Sequence, residues 1–301
     1  MTGSQEDAHD LSAQEAMESL ELAKRLAQIG YKILVLSGKG GVGKSTVAAN
    51  LAVALAAMGR RVGLLDVDFH GPSIPKLMGL AQRSVAIEQG SILPVDCGPH
   101  LKVMSLGLLL HSEEDAVIWR GPLKMGVIKQ LLKDVQWGRL DYLIADSPPG
   151  TGDEPLSVAQ LLTPPASAIV VTQPQQLSTA DVRRSIRFCQ RVGLPVLGVI
   201  ENMSGFACPH CGTRVEVFGS GGGEQLALQV DVPFLGRIPL DPKVAESGDQ
   251  GKPFVAYLQQ SPIAQEFQAI VEKVLAATEK EARAEEPETD PAQTPEAPSS
   301  I

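Results

Sequence analysis

Ile33-Leu34-Val35-Leu36-Ser37-Gly38-Lys39-Gly40-Gly41-Val42-Gly43-Lys44-Ser45-Thr46, followed by Val47-Ala48-Ala49-Asn50-Leu51-Ala52, reads as a strand, a glycine-rich loop and the start of a helix. Residues Gly38 to Ser45 satisfy G-x-x-x-x-G-K-[ST] in the strand–loop–helix context that the motif requires. The glycines permit close backbone approach, so the amides of Gly38, Lys39, Gly40, Gly41, Val42, Gly43, Lys44, Ser45 and Thr46 and the helix N-terminus can face phosphates. Lys44 then bridges the β and γ phosphates of a nucleotide, and the Ser45 hydroxyl ligates Mg2+. A tight glycine-rich turn with no ligand is the bland alternative.

Working outward, apolar runs alternate with helical patterns. Strand-like segments lie at Lys32–Leu36, Arg61–Leu65, Leu101–Leu106, Tyr142–Ala145, Ala168–Thr172, Val196–Ile200 and Phe234–Ile238. Periodic helical segments include Ser45–Met58, Leu123–Val135, Ser178–Val192 and Pro262–Ala277. Strands that are almost wholly apolar and separated by helices predict a mainly parallel, doubly wound α/β sheet covered on both faces. Ahead of it, Leu22, Leu26 and Ile29 repeat at helical spacing and Gly30 stops the pattern, predicting an amphipathic helix within residues 1–30. The division expected is an acidic N-terminal segment over 1–30, one nucleotide-binding domain over 31–278, and a disordered acidic tail rich in Glu and Pro over 279–301.

The net charge of −9 is concentrated at the ends: residues 1–22 carry −6 and residues 279–301 carry −5, which leaves 23–278 near +2. A near-neutral centre, in a chain of which 4% is aromatic, argues against a nucleic-acid or anionic-membrane partner. Nothing at the N-terminus resembles a signal peptide and no apolar run approaches the roughly 18 residues of a membrane span, so a cytoplasmic protein is expected.

Asp66 and Asp68 end the second strand, and Asp146 ends the strand before Ser147-Pro148-Pro149-Gly150-Thr151-Gly152-Asp153. Carboxylates at the C-terminal ends of parallel strands lie beside the phosphate loop. Asp146 is the Walker B type of residue that holds the magnesium shell; Asp66 or Asp68 is the candidate to orient or deprotonate the attacking water. Helix capping is the structural alternative, chiefly for Asp68. A later strand delivers Glu201-Asn202-Met203-Ser204 where a GTPase would carry Asn-Lys-x-Asp. The Asn202 amide can pair with the donor–acceptor edge of adenine, which favours ATP.

Cys208-Pro209-His210-Cys211 is a C-x-x-C knuckle, and zinc or iron–sulfur sites normally want four ligands. Cys189 falls on an apolar helical stripe with Val182, Ile186 and Val192, and Cys97 is an isolated loop thiol, so neither completes the set. His210 reads as a spacer. The missing ligands come most economically from a second copy of the knuckle across a two-fold axis. A lone knuckle holding structural zinc and a redox disulfide remain alternatives.

Lys39 makes the octapeptide Lys39–Thr46 resemble the deviant Walker A branch of phosphate-loop ATPases. The resemblance implies that Lys39 reaches across a nucleotide-sandwich homodimer to the partner's phosphates, as an arginine finger does; a solvated loop lysine is the alternative. With Asp66–Leu77, Trp119-Arg120-Gly121-Pro122, Trp137–Asp153, Glu201–Cys211 and Phe218–Asp249, the chain from about 20 to 275 resembles the Mrp/ApbC family of iron–sulfur cluster carrier ATPases. Ser147 departs from the leucine usual there. The resemblance implies ATP hydrolysis linked to a labile 4Fe-4S cluster held by Cys208 and Cys211 at a homodimer interface. It further implies apo iron–sulfur proteins as recipients and a scaffold or donor protein as source. Two rivals are a partitioning or positioning ATPase of the same fold, which would want a basic amphipathic helix or face, and a zinc-stapled structural dimer.

Overall fold

Strand β1 (Ile29–Ser37) is buried at every position but Gly30, as its run of apolar residues requires. Its side chains alternate between two cores: Ile33 and Val35 enter one, Leu34 and Leu36 the other. The computed structural model describes residues 16–285 apart from 70, 89, 110–120, 209, 210 and 212. In it β1 pairs in parallel with β7 (Leu140–Asp146) on one side and β8 (Ala166–Thr172) on the other. Beyond β7 come β2 (Val62–Asp66) and β6 (Leu101–Ser105); beyond β8 come β9 (Val196–Ala207) and β11 (Phe234–Leu240), all parallel. Short antiparallel strands trim the sheet: β5 (Val95–Asp96) on β6 and β10 (Arg214–Val215) on β9. A separate pair, β3 (Ala86–Glu88) and β4 (Ser91–Leu93), stands outside it. The expected doubly wound α/β sheet is therefore present, and the strand order reverses at β1, whose C-terminal end opens the ligand crevice typical of such sheets.

Helices cover both faces. On one, α2 (Lys44–Ala57), α9 (Phe254–Tyr257) and α10 (Pro262–Glu285) bury Leu51, Leu55, Phe254, Phe267 and Ile270. On the other, α1 (residues 16–26), α4 (Gly121–Lys133), α5 (Asp153–Leu161) and α6 (Gln176–Arg191) supply Leu26, Leu131, Val158 and Cys189. A smaller core joins α6 to α7 (Gly222–Gln229) through Val182, Ile186 and Leu226. Two short helices, α3 (Ile74–Leu77) and α8 (Pro242–Asp249), flank the crevice.

Both proposed domain boundaries move. The helix stops at residue 26, short of the expected end at Gly30, because Ile29 and Gly30 already belong to β1. Leu22 and Leu26 are buried with Ile29 in the second core, and Glu18 pairs with Lys129 at 2.8 Å, so the amphipathic helix is part of the α/β unit. At the other end α10 runs on to Glu285. Composition alone reads Glu279 and Glu281 as tail residues, but Glu279 pairs with Arg60 at 2.7 Å. Glu281 accepts hydrogen bonds from the Tyr31 hydroxyl and, at 3.2 Å, from Ser167 Oγ. Residues 1–15 and 286–301, to which the remaining acidic segments belong, lie outside the described residues. Hydrogen bonds of this kind contribute about 1 kcal/mol each and an exposed ion pair less. A chain ending at 278 is therefore expected to melt a few degrees below one ending at 285 in differential scanning calorimetry; equal midpoints would show these contacts to be idle.

Candidate functional site

The phosphate loop leaves β1 at Ser37, whose hydroxyl donates to the Lys39 carbonyl at 3.0 Å. Gly38 lies against α6 at Asp181, Gly40 and Gly41 are exposed, and Lys39 is partly exposed at the rim. Gly43 takes the N-cap of α2 with φ of 82°, and a Cβ there would lie 2.2 Å from Asn202 Nδ2. Only glycine meets both demands. Lys44, Ser45 and Thr46 form the first turn of α2 and line, with Gly40–Gly43, a cleft of about 530 Å³. The cleft extends past Asp68 and Asn202 to Ile238–Asp241 at the end of β11 and to Val244 on α8.

Lys44 is buried and its Nζ lies 2.5 Å from Asp146 Oδ1 and 3.2 Å from Ser45 Oγ. Asp146 is fully buried at the end of β7, directly opposite Asp66 at the end of β2. Two carboxylates thus share one ammonium. Burial, followed by the charge of Asp146, pushes Asp66 up to about 7. Burial also raises Asp146, against the opposing pull of Lys44. Asp146 Oδ2 is buried without a hydrogen-bond partner. An orphaned anionic oxygen beside the Ser45 hydroxyl is a donor set that suits a hard divalent cation, so Asp146 and Ser45 fit Mg2+.

The two water-orienting candidates separate. Asp66 accepts from Asp68 N at 3.0 Å, Ser105 Oγ at 2.9 Å and Ile74 N at 3.3 Å, and it does not line the cleft. Its bonds to the Asp68 and Ile74 amides shape the loop that follows β2. Asp68 lines the cleft beside Gly71, whose N–H donates to it at 3.3 Å.

Asn202 also lines the cleft, but its Nδ2 donates to the Val42 carbonyl at 2.8 Å. The amide expected to read adenine is engaged by the phosphate loop itself. Cys208 and Cys211 follow β9 directly. Cys208 N donates to the Thr213 carbonyl at 3.0 Å, closing the turn, and Cys211 Sγ lies 3.1 Å from Thr213 Oγ1. Cys211 is exposed, and the Thr213 hydroxyl and amide together with Cys208 hold its thiol below the ordinary range. Pro209 and His210, with the spacer reading of His210, lie outside the described residues, as do Trp119 and Arg120. Burial pushes Cys97 up to about 11 and Cys189 up to about 12, and Cys189 is core, as its helical stripe predicted. Among the described residues no group of three or more His, Cys, Asp or Glu side chains gathers into a metal site.

Sequence reading missed three supports. Gln173 donates to the Gly41 carbonyl at 3.3 Å, and its place just after β8, at the crevice end, was a usable signal. Ser105, which holds Asp66, carries no motif that marks it, and Glu201, which binds a glycine-rich turn, opens the Glu201–Cys211 block, but nothing in that block signals its own role.

Known proteins match this arrangement. A nucleotide-binding protein from Archaeoglobus fulgidus, solved in complex with ADP, superposes with a TM-score of 0.71 at 42% identity, covering 83% of this chain and 96% of that one. The cell-division protein MinD of Aquifex aeolicus, 23% identical with a TM-score of 0.60 over 82% and 97% of the two chains, shares the fold. A Nematostella vectensis protein named as a homologue of cytosolic Fe-S cluster assembly factor NUBP2 is 52% identical over 84% of this chain and 95% of its own. An iron-sulfur cluster carrier protein of Methanocaldococcus jannaschii is 46% identical over 88% and 90%. The model for the ParA group described as NUBPL iron-transfer P-loop NTPases matches residues 28–275, from the start of the central strand into the second half of α10. With the phosphate loop, the buried Lys44–Asp146 pair and the paired cysteines in one fold, the chain belongs to the NUBPL iron-transfer P-loop NTPase family.

Proposed function

We propose that this protein is an ATP-hydrolysing carrier that takes up an iron–sulfur cluster on Cys208 and Cys211 and passes it to apo-proteins. The observation that carries the reading is the course of β9. One strand holds Asn202 against the phosphate loop and, after Ala207, delivers both thiols. A nucleotide-dependent shift of the loop is therefore felt by the segment that holds the cargo.

In this reading Lys44 and the loop amides bind the phosphates, Ser45 and Asp146 hold Mg2+, and Asp68 orients the attacking water. Bound magnesium supplies positive charge to the phosphate oxygens. Lys39, partly exposed at the rim, acts on the nucleotide of a second copy. Each chain offers two close thiols and a 4Fe-4S cluster takes four, so the cluster sits between two chains of a homodimer. A scaffold or donor protein loads it and apo iron–sulfur proteins receive it. Among the described residues no helix is long and apolar enough to cross a membrane, and we assign the protein to the cytoplasm, without nucleic-acid or membrane partners.

Replacing Lys44 by Ala is expected to abolish hydrolysis, and Lys39→Ala to reduce it by about tenfold or more while sparing nucleotide binding. Parent-rate turnover by the Lys39 variant in a phosphate-release assay would defeat the role in trans. Lys44→Ala also has a pH signature. Losing the ammonium raises the folded-state proton affinity of Asp66 and Asp146, so the protonated pair is tolerated at low pH and two bare anions remain at high pH. The thermal midpoint of Lys44→Ala is therefore expected to lie further below the parent's at pH 8 than at pH 6. An unchanged or inverted gap would mean that the pair is not charged as described.

Cluster loading is expected at one per two chains, lost in Cys208→Ala or Cys211→Ala and kept in Cys97→Ala and Cys189→Ala, the last with a modest packing cost. Size-exclusion chromatography with iron, sulfide and zinc counting after anaerobic reconstitution checks this. A cluster retained by monomers, or zinc alone, would refute the carrier reading.

A further inference from the structure

Glu201 is fully buried on β9, yet neither the nucleotide site nor the cysteine knuckle uses it directly. Its carboxylate is surrounded by donors from both ends of one excursion of the chain. From the outgoing end, Ser204 Oγ donates to Oε1 at 2.5 Å. From the returning end, Gly221 N donates to Oε1 at 2.8 Å and Gly223 N to Oε2 at 2.5 Å. Ser204 and Ser220 hydroxyls meet at 3.2 Å across the same base. Arg237 Nε lies 3.6 Å from Oε1, and its guanidinium also pairs with Glu224 in the first turn of α7.

Everything between Ser204 and Ser220 is the loop that carries Cys208 and Cys211, closed further out by the antiparallel pairing of β10 with Phe206 and Ala207. The return point has no room for a side chain: a Cβ on Gly223 would stand 3.0 Å from Glu201 Oε2, and one on Gly222 would stand 2.1 Å from the Pro174 carbonyl. The carboxylate therefore occupies the positive end of α7, satisfying amides that would otherwise be orphaned. The next residue along the strand, Asn202, reaches the Val42 carbonyl of the phosphate loop. Met203, which follows within the strand, takes φ of 58°, a left-handed conformation rare for a side chain of that size and one that persists only where its surroundings hold it.

We infer that Glu201 is a positioning residue that clasps the base of the cysteine loop and makes the hold on the cluster respond to nucleotide in the phosphate loop. The inference rests on the carrier reading for its cargo, but its geometry is independent of what the thiols bind. With the clasp intact, movement of Asn202 by the phosphate loop displaces both stems of the loop together. With the clasp broken, the stems follow α7 and β9 separately and the signal is lost.

The test is Glu201→Gln, which keeps shape but turns an amide NH2 toward a backbone N–H. On reconstituted full-length protein, iron loss to a ferrous chelator is followed by visible absorbance with and without the magnesium complex of a non-hydrolysable ATP analogue. The parent is expected to change its rate about fivefold or more on binding the analogue, and the variant by less than about twofold, while nucleotide affinity and ATP hydrolysis stay within about twofold of the parent. Ser204→Ala removes one donor only and is expected to give an intermediate ratio, which keeps the test open if Glu201→Gln folds poorly. Retention of the parent's ratio in a folded Glu201→Gln, or in Ser204→Ala if that is the only folded variant, overturns the inference. If the parent takes up no cluster, the carrier reading fails, and amide exchange of residues 204–221 with and without the analogue decides the clasp alone. A nucleotide-dependent difference in the parent that Glu201→Gln abolishes supports it. The same difference in both proteins, or none in the parent, overturns it.

Discussion

The ion pair between Lys44 and Asp146, with Nζ and Oδ1 2.5 Å apart and both groups buried, is the interaction around which the crevice is organised. A parallel sheet delivers its strand ends to one edge, so β2 and β7 bring Asp66 and Asp146 to opposite positions in neighbouring strands. One ammonium cannot neutralise both. The protein answers with hydrogen bonds to Asp66 from three donors, and with a proton affinity for it raised by burial to about neutral pH. The remaining oxygen of Asp146 is left bare. In the proposed function this shortage of positive charge is a feature, because phosphate entering the loop competes for Lys44 while a divalent cation is offered Asp146.

The second organising element is β9. Most strands of this sheet end at the crevice, but β9 runs twelve residues and passes beyond it. Its buried start belongs to the core through Leu197, Val199 and Ile200. Its middle supplies Glu201 and Asn202, and its exposed end supplies the cysteine turn. At about 3.3 Å per residue, the six steps from Asn202 to Cys208 put the thiols up to roughly 20 Å from the phosphate loop. Coupling over that span needs a continuous element fixed at both ends. Strand β9, anchored at Asn202 to the phosphate loop and clasped at the loop base by Glu201, is such an element.

Fold class was legible because each apolar run is too short for a solitary buried helix and is separated from the next by a helical pattern, which leaves a parallel sheet as the arrangement that covers every strand. The phosphate loop was legible for a stricter reason: its glycines, lysine and serine answer to local backbone geometry. The core placement of Cys189 followed from spacing alone. The fate of Glu279 and Glu281 did not, because composition cannot show that folding brings Arg60, Tyr31 and Ser167 against the end of α10.

The sequence by itself determined the strand–loop–helix unit, the carboxylates at the strand ends and the pairing of two thiols, since each depends on neighbours within a few residues. Only the tertiary structure decided which carboxylate faces the cleft, that the Asn202 amide is already held by Val42, and that Glu201 binds Gly221, twenty residues further along the chain. These choices depend on which side chains meet across strands brought together by folding. Burial then sets their charge and leaves each polar atom either partnered or, like Asp146 Oδ2, available to a ligand.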